Sequence, residues 1–296
     1  MIKPNFFLIG APKCGTTAFS EYLRSHPDIF MTVPKAPHYF STDLPYFRVV
    51  TQLEDYLELF KKRESQLIIG EASTSYTFST VALDNLYQFN KDAKLLMMVR
   101  NPINMAYSLY SEHFLQACEN QDSFEKAWNL QEKRKKGIIL PPLEPLAVQY
   151  GEVCSLGGQL ERIYSIFPRK QVKVVIFDDL VASTVDVYKD VLSFLKIDYD
   201  GRIEFPKVNE NKIRRIKWLN VFLQKPPKII SNSLNHWRFV RKIKNSILED
   251  IHKINSVKVK RTPISDDFRK ELADYFRDDV KKLSKLLDRD LMYWID

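Results

Sequence analysis

The sequence predicts an α/β fold, with a central, mostly parallel sheet covered by helices, and three observations carry that expectation. Short apolar runs alternate with stretches of helical spacing along the first two thirds of the chain. The runs are apolar throughout instead of alternating with polar residues, as strands buried on both faces are. The first of them ends in glycine and opens a loop, "GAPKCGTT", that feeds a helix, the order in which open parallel sheets build ligand crevices.

In chain order, "NFFLIG" reads as a buried strand, and "TTAFSEYLRSH" as a helix with Phe19, Tyr22 and Leu23 on one face. "LEDYLELFKKR" is helical in spacing, "QLIIGE" and "AKLLMMVRNP" are strands, and "NMAYSLYSEHFLQA" is a helix. "GIILPPLEPL" carries three prolines and reads as a loop. "GGQLERIYSIF" and "STVDVYKDVLSFLKI" are helices on either side of the strand "VKVVIFDDL". After residue 200 no stretch reads as a strand, and "DDFRKELADYFRDDVKKLSKLLDRDL" is a long final amphipathic helix. No internal repeat and no low-complexity tract is present.

A length of 296 residues with 45% hydrophobic and 12% aromatic content suits one domain spanning 1–296. The net charge of +8 is unevenly spread, because the stretch from Lys207 to Arg261 holds 15 Lys and Arg against 3 acids. The portion from about 207 is therefore expected to be basic and helical: a solvated face, a clamp for an anionic cofactor, or a surface for an anionic partner. Three separated cysteines, Cys14, Cys118 and Cys154, suggest neither a disulfide framework nor a zinc site. No apolar stretch reaches the length of a membrane span, so a cytoplasmic protein without membrane contact is expected.

Gly10 and Gly15 are spaced like the glycines of a phosphate-binding loop, which points backbone N–H groups and a helix dipole at an anion. An ATPase or kinase would need G-x-x-x-x-G-K-[ST] and an acid at a neighbouring strand end to help hold magnesium. Here Lys13 lies inside the loop, Thr16 stands where that lysine belongs, and the strand "LLMMV" ends in Arg100-Asn101-Pro102. An arginine at that strand end suits a second anionic group directly. The expected ligand is a nucleotide with two separate anionic ends and no metal requirement. A phosphatase role for Cys14 would need an arginine six positions on, where Ser20 stands. Cys14 is expected to offer mainly its backbone N–H.

"FFLIGAPKCGTTAFSEYLRSHPDI" resembles the 5′-phosphosulfate loop of sulfotransferases that use 3′-phosphoadenosine 5′-phosphosulfate (PAPS), and "LLMMVRNPINMAYSLYSEHF" resembles their 3′-phosphate motif. "PKAPHYFS", "IIGEASTSY", "YGEVCSLGGQLERIYSIFPRKQVKVVIFDDL" and the closing helix extend the likeness over most of the chain, toward the bacterial and heparan-sulfate-type branch. The resemblance implies a P-loop NTPase-like three-layer sandwich, PAPS as donor with 3′-phosphoadenosine 5′-phosphate (PAP) as product, and no metal. It implies a soluble small-molecule or sugar acceptor taking sulfonate on a hydroxyl or amine, with no nucleic acid partner. Lys13, Cys14, Gly15, Thr16 and Thr17 would hold the 5′ end of the donor, and Arg100 and Ser108 the 3′-phosphate. Lys212 and Arg214, in the basic "VNENKIRRIKW", would close over it.

One departure concerns the proton. Relatives of the heparan-sulfate type usually carry a glutamate before "HYF", and this chain has Ala36 there. His38 or Glu71 takes the proton instead, or the acceptor needs no strong base, or Ala36 marks a catalytically impaired relative that only binds the nucleotide.

Overall fold

The computed structural model describes residues 3–116, 118–141, 144–206, 213–214, 256–257 and 263–296. Its main sheet holds β1 (Phe6–Gly10), β2 (Ile29–Met31), β3 (Ile68–Ala72), β4 (Lys94–Val99) and β5 (Val172–Ile176), in the order β2-β3-β1-β4-β5. Every pairing in it is parallel. Phe6, Phe7, Leu8 and Ile9 of β1 are wholly buried. Because successive side chains point to opposite faces, both faces of that strand must be covered, which explains the unbroken apolar run. At roughly 1.5–3 kcal/mol for each large apolar side chain, this central strand contributes much of the stability.

The helices are α1 (Thr16–Arg24) after β1, α2 (Leu53–Glu58) and α3 (Ala82–Phe89) on either side of β3 in sequence, and α4 (Pro102–Leu115) after β4. Then come α5 (Phe124–Asn129), α6 (Gln131–Lys135), α7 (Tyr150–Cys154) and α8 (Leu156–Ile166), with α9 (Phe177–Ala182) and α10 (Thr184–Leu195) beyond β5. The last helix, α11 (Asp266–Leu287), begins at Ser265, whose hydroxyl accepts from the Phe268 N–H, and has Asp266 and Asp267 in its first turn. Both features favour a helix start. Phe268, Leu272, Phe276, Val280 and Leu283 form its buried stripe and belong to the same apolar cluster as the sheet. Asp279 of α11 accepts the N–H groups of Gly157 and Gly158 at 2.8 Å each, capping α8. A Cβ on Gly157 would lie 2.3 Å from the Asp279 carbonyl oxygen, so glycine is what lets the two helices meet.

The chain leaves β1 toward one edge of the sheet, where β2 lies, and leaves β4 toward the other, where β5 lies. The crevice between the carboxyl ends of β1 and β4 is therefore the topological switch point, where open α/β sheets hold ligands.

The four strands and the longer helices lie where the sequence puts them. Its apolar pattern misses β2, three residues long, the helix α3, and the short helices α5, α6 and α7, which are too brief to show a period; the run "VKVVIFDDL", read as a strand, is one only to Ile176, and residues 177–180 open α9. It also misses a two-residue antiparallel pairing of Ile213–Arg214 with Ser256–Val257, against the expectation of no strand after residue 200. Lys212 lies outside the described residues, as does the side chain of Arg214.

Candidate functional site

A cavity of about 780 Å³ opens at the switch point, lined on one side by the loop after β1 and on the other by Arg100 and α4. The loop owes its shape to two residues with left-handed backbone, Lys13 (φ 63) and Gly15 (φ 87). Gly15 caps α1 without any side-chain hydrogen bond to its first turn, and that turn contains no acid. The N–H donors there are thus left for an anion, in the concave arrangement such backbones form. A Cβ at Gly15 would also sit 3.1 Å from the Phe177 ring.

Arg100 follows β4 directly and donates from Nη1 to the Lys13 carbonyl at 3.2 Å. Its guanidinium lies 4.6 Å from the centre of the Phe177 ring. Burial lowers its pKa from the ordinary value, while Asp178 acts in the opposite direction. Asn101 then caps α4, accepting from the N–H groups of Ile103 and Asn104, and Pro102 occupies the first turn. That local signal aims α4 so that Ser108, two turns on and buried, reaches the cavity wall. The sequence-predicted Lys13, Gly15, Thr16, Thr17, Arg100 and Ser108 all line this one cavity.

Cys14 does not line it. Its thiol is wholly buried between the Pro12 carbonyl at 3.5 Å and the Met105 sulfur at 3.7 Å. Burial pushes its pKa up to about 12 against the pull of Arg100 and Lys13, so it stays protonated and is no nucleophile.

Two residues that the sequence reading did not single out complete the charge pattern. Lys35 donates from Nζ to Thr17 Oγ1 at 2.9 Å and to Thr16 Oγ1 at 3.4 Å. Its pKa falls to about 8 through burial, with Glu112 opposing. Glu112, on α4 one turn beyond Ser108, places Oε2 2.6 Å from Lys13 Nζ. Its i,i+4 spacing from Ser108 was the available signal.

Ala36 and His38 both line the cavity and both have left-handed backbones, at φ 63 and 52. The His38 N–H donates to Ser73 Oγ at 2.9 Å. Its Nδ1 is 2.6 Å from Ser75 Oγ, which in turn lies 2.7 Å from Ser41 Oγ. Burial, helped by Lys35, lowers the His38 pKa to about 4, so the ring is neutral near pH 7.

Glu71 is fully buried and absent from the cavity wall. Tyr76 and Tyr56 donate to its Oε1 at 2.7 and 3.1 Å, and Ser73 donates to Oε2 at 2.5 Å. Burial raises its pKa to about 7, opposed by those three hydroxyls. The expectation that Glu71 takes a proton from an acceptor has no geometric support, because its oxygens face tyrosine and serine hydroxyls. Through Ser73 it anchors the backbone of His38.

Among the described residues no cluster of His, Cys, Asp or Glu suited to a metal ion occurs, and no helix is long and apolar enough to cross a membrane.

A family model described as "Sulfotransferase domain" matches residues 3–285. Carbohydrate sulfotransferase 15 of Rattus norvegicus is 30% identical over 167 residues, covering 42% of this chain and 29% of that protein. Heparan sulfate glucosamine 3-O-sulfotransferase 3B1 of Mus musculus is 34% identical over 109 residues, covering 37% of this chain and 26% of that one. The matches thus span under a third of these curated relatives' length. A crystal structure of a sulfotransferase from Alicyclobacillus acidocaldarius superposes with a TM-score of 0.74 at 26% identity, covering 100% of both chains. With a family match over nearly the whole chain and the fold shared end to end with that bacterial sulfotransferase, this protein belongs to the sulfotransferase family.

Proposed function

We propose that the protein moves a sulfonate group from PAPS to a hydroxyl or amine of a small-molecule or sugar acceptor. The observation that carries this reading is the convergence of the loop after β1 and of Arg100 after β4 on one cavity. Two anion sites on either side of a switch point suit a nucleotide with a 5′ and a 3′ anionic group. The open N–H donors at the start of α1 fit the first of these, and Arg100 with Ser108 the second.

When bound, the donor supplies an activated sulfonate attached to a 5′-phosphate leaving group. The protein's part is to hold that end against the loop and to meet the charge that accumulates on the leaving oxygen. Lys13 and Lys35 bring two ammonium groups to the cavity wall beside the first turn of α1. Together with Arg100 they provide the positive charge that magnesium contributes in phosphoryl-transfer loops. His38 lends the wall a neutral imidazole held by Ser75. The names of two relatives, with carbohydrate and heparan sulfate glucosamine acceptors, support a sugar among the candidates. The three cysteines, far apart in the sequence, suit a reducing compartment such as the cytoplasm.

Calorimetry with PAP, 5′-AMP and ATP tests the donor. PAP is expected to bind roughly two orders of magnitude more tightly, the worth of one charge-assisted contact of about 1.5–3 kcal/mol at the 3′-phosphate. Equal affinities refute the assignment. Incubation of labelled PAPS with acceptor pools, read by mass for an added sulfonate, then identifies the acceptor.

A further inference from the structure

We infer that Glu112 is the general base of the transfer and that it gains strength when the donor engages Lys13, an assignment that rests on the sulfonate-transfer reading above. A base must line the cavity beside the loop and be unprotonated near neutrality. Among the described lining residues, His38, His113 and Glu112 meet that requirement, and Glu112 is the only carboxylate. Its carboxylate touches Lys13, the cation placed for the reacting end of the donor, while its side chain keeps 38% of its surface open to an incoming acceptor. The imidazoles are less free. His38 has Nδ1 engaged with Ser75. His113 is buried, with an Nδ1 that lacks a hydrogen-bond partner and lies out of solvent reach.

What holds each base weak also differs. For both histidines the largest cause is burial, which lowers the pKa to about 4 and which donor binding leaves in place. For Glu112, burial pushes the pKa upward, and Lys13, with smaller help from His113 and Lys35, pulls it below its ordinary value. An anionic donor that engages Lys13 competes for that pull and leaves the upward push. The carboxylate therefore becomes more basic once the donor is seated. The acceptor O–H bond then breaks, its proton passing to the Glu112 carboxylate, as the acceptor oxygen bonds to sulfur. The bond from sulfur to the 5′-phosphate oxygen breaks, and its electron pair stays on that phosphate beside Lys13. Ala36 leaves the segment after β2 without a carboxylate on the wall, and Glu112 supplies one from α4.

The test compares the full chain with Glu112→Gln and Glu112→Asp in two readouts: PAP affinity by calorimetry, and PAP release from PAPS. Release is measured with water as acceptor and with 4-nitrophenol at mildly alkaline pH, where the phenolate needs no base. Glu112→Gln is expected to bind PAP as tightly as the parent or more so, because Lys13 is freed. It is expected to lose about two to four orders of magnitude in the water reaction and less than about tenfold with the phenolate, and Glu112→Asp to recover part of the loss. An unchanged water reaction with intact PAP binding overturns the inference, and so does equal loss with water and phenolate. Loss of PAP binding in Glu112→Gln alone assigns the residue to the donor site and likewise overturns it. Failure of the parent protein to bind PAP overturns the donor reading itself.

Discussion

Replacing Glu71 by glutamine separates a buttress from a base, and the pH dependence of stability is its sharpest readout. Glu71 is wholly buried, and its pKa stands at about 7 against an ordinary 4.5. Below the ordinary value both the folded and the unfolded chain carry the proton. Between 4.5 and about 7 only the unfolded chain releases it, so stability falls as pH rises through that window and levels off above it. A displacement of that size corresponds to on the order of 3 kcal/mol for a group without solvent screening. Glutamine keeps an oxygen for Tyr56 and Tyr76, and its amide donates to Ser73 Oγ, so the hydroxyl cluster survives. Urea unfolding of the two proteins across the window should show the parent losing ground to Glu71→Gln by about that amount as pH rises. Other carboxylates titrate in both proteins and cancel in the difference. PAP binding should be unchanged, since Glu71 does not line the cavity. Parallel stability profiles would refute the burial argument. A collapse of turnover in a stable, PAP-binding variant would put Glu71 back in the proton path.

Three further outcomes follow from the same geometry. Arg100→Ala should weaken PAP by about 10²-fold or more while changing 5′-AMP little, because a charge-assisted contact to the 3′-phosphate is lost; calorimetry checks it. Excess EDTA should leave PAP affinity and transfer unaltered, because Lys13, Lys35 and Arg100 carry the charge at the site; restoration of a lost rate by magnesium would contradict this. His38→Ala should lower kcat by less than about tenfold if Glu112 takes the proton, and a loss of two to four orders of magnitude would return that role to the imidazole.

What was legible in the sequence is what short-range geometry dictates. Gly10 and Gly15 bracket a strand-to-helix loop, and Arg100-Asn101-Pro102 spells a strand end, a helix cap and a first turn, so both anion sites could be read from a few consecutive residues. The long final helix was visible for the same reason, since its buried stripe repeats every three or four residues. Lys35 and Glu112 were not, because their meaning is tertiary. Lys35 follows β2, an edge strand of three residues, and reaches Thr17 only because β2 pairs with β3 and β3 with β1. Ser73 and Tyr76 lie only two and five residues beyond Glu71, but Tyr56 reaches it from α2, and nothing along the chain marks that contact.

The proton acceptor shows why a motif exposes a gap more readily than its remedy. A motif ties a role to a position, so Ala36 reads at once as a missing carboxylate. The chemistry asks only for a carboxylate within reach of one point in space, and at a switch point several elements end around that point. The loop after β1, the segment after β2 and the later turns of α4 all border the cavity. A base lost from the segment after β2 can therefore be supplied from α4 without moving the donor, provided the helix cap at Asn101 keeps its aim. Disturbing that cap should then cost more than helix stability. Asn101→Ala removes two bonds to the first turn and a 2.5 Å contact with the Trp294 carbonyl, worth about 1 kcal/mol for the cap alone. Because Ser108 and Glu112 share the helix, PAP affinity and turnover should fall together, whereas Glu112→Gln lowers turnover alone. A stability loss with both functions intact would show that the aim of α4 is set by its packing and not by its cap.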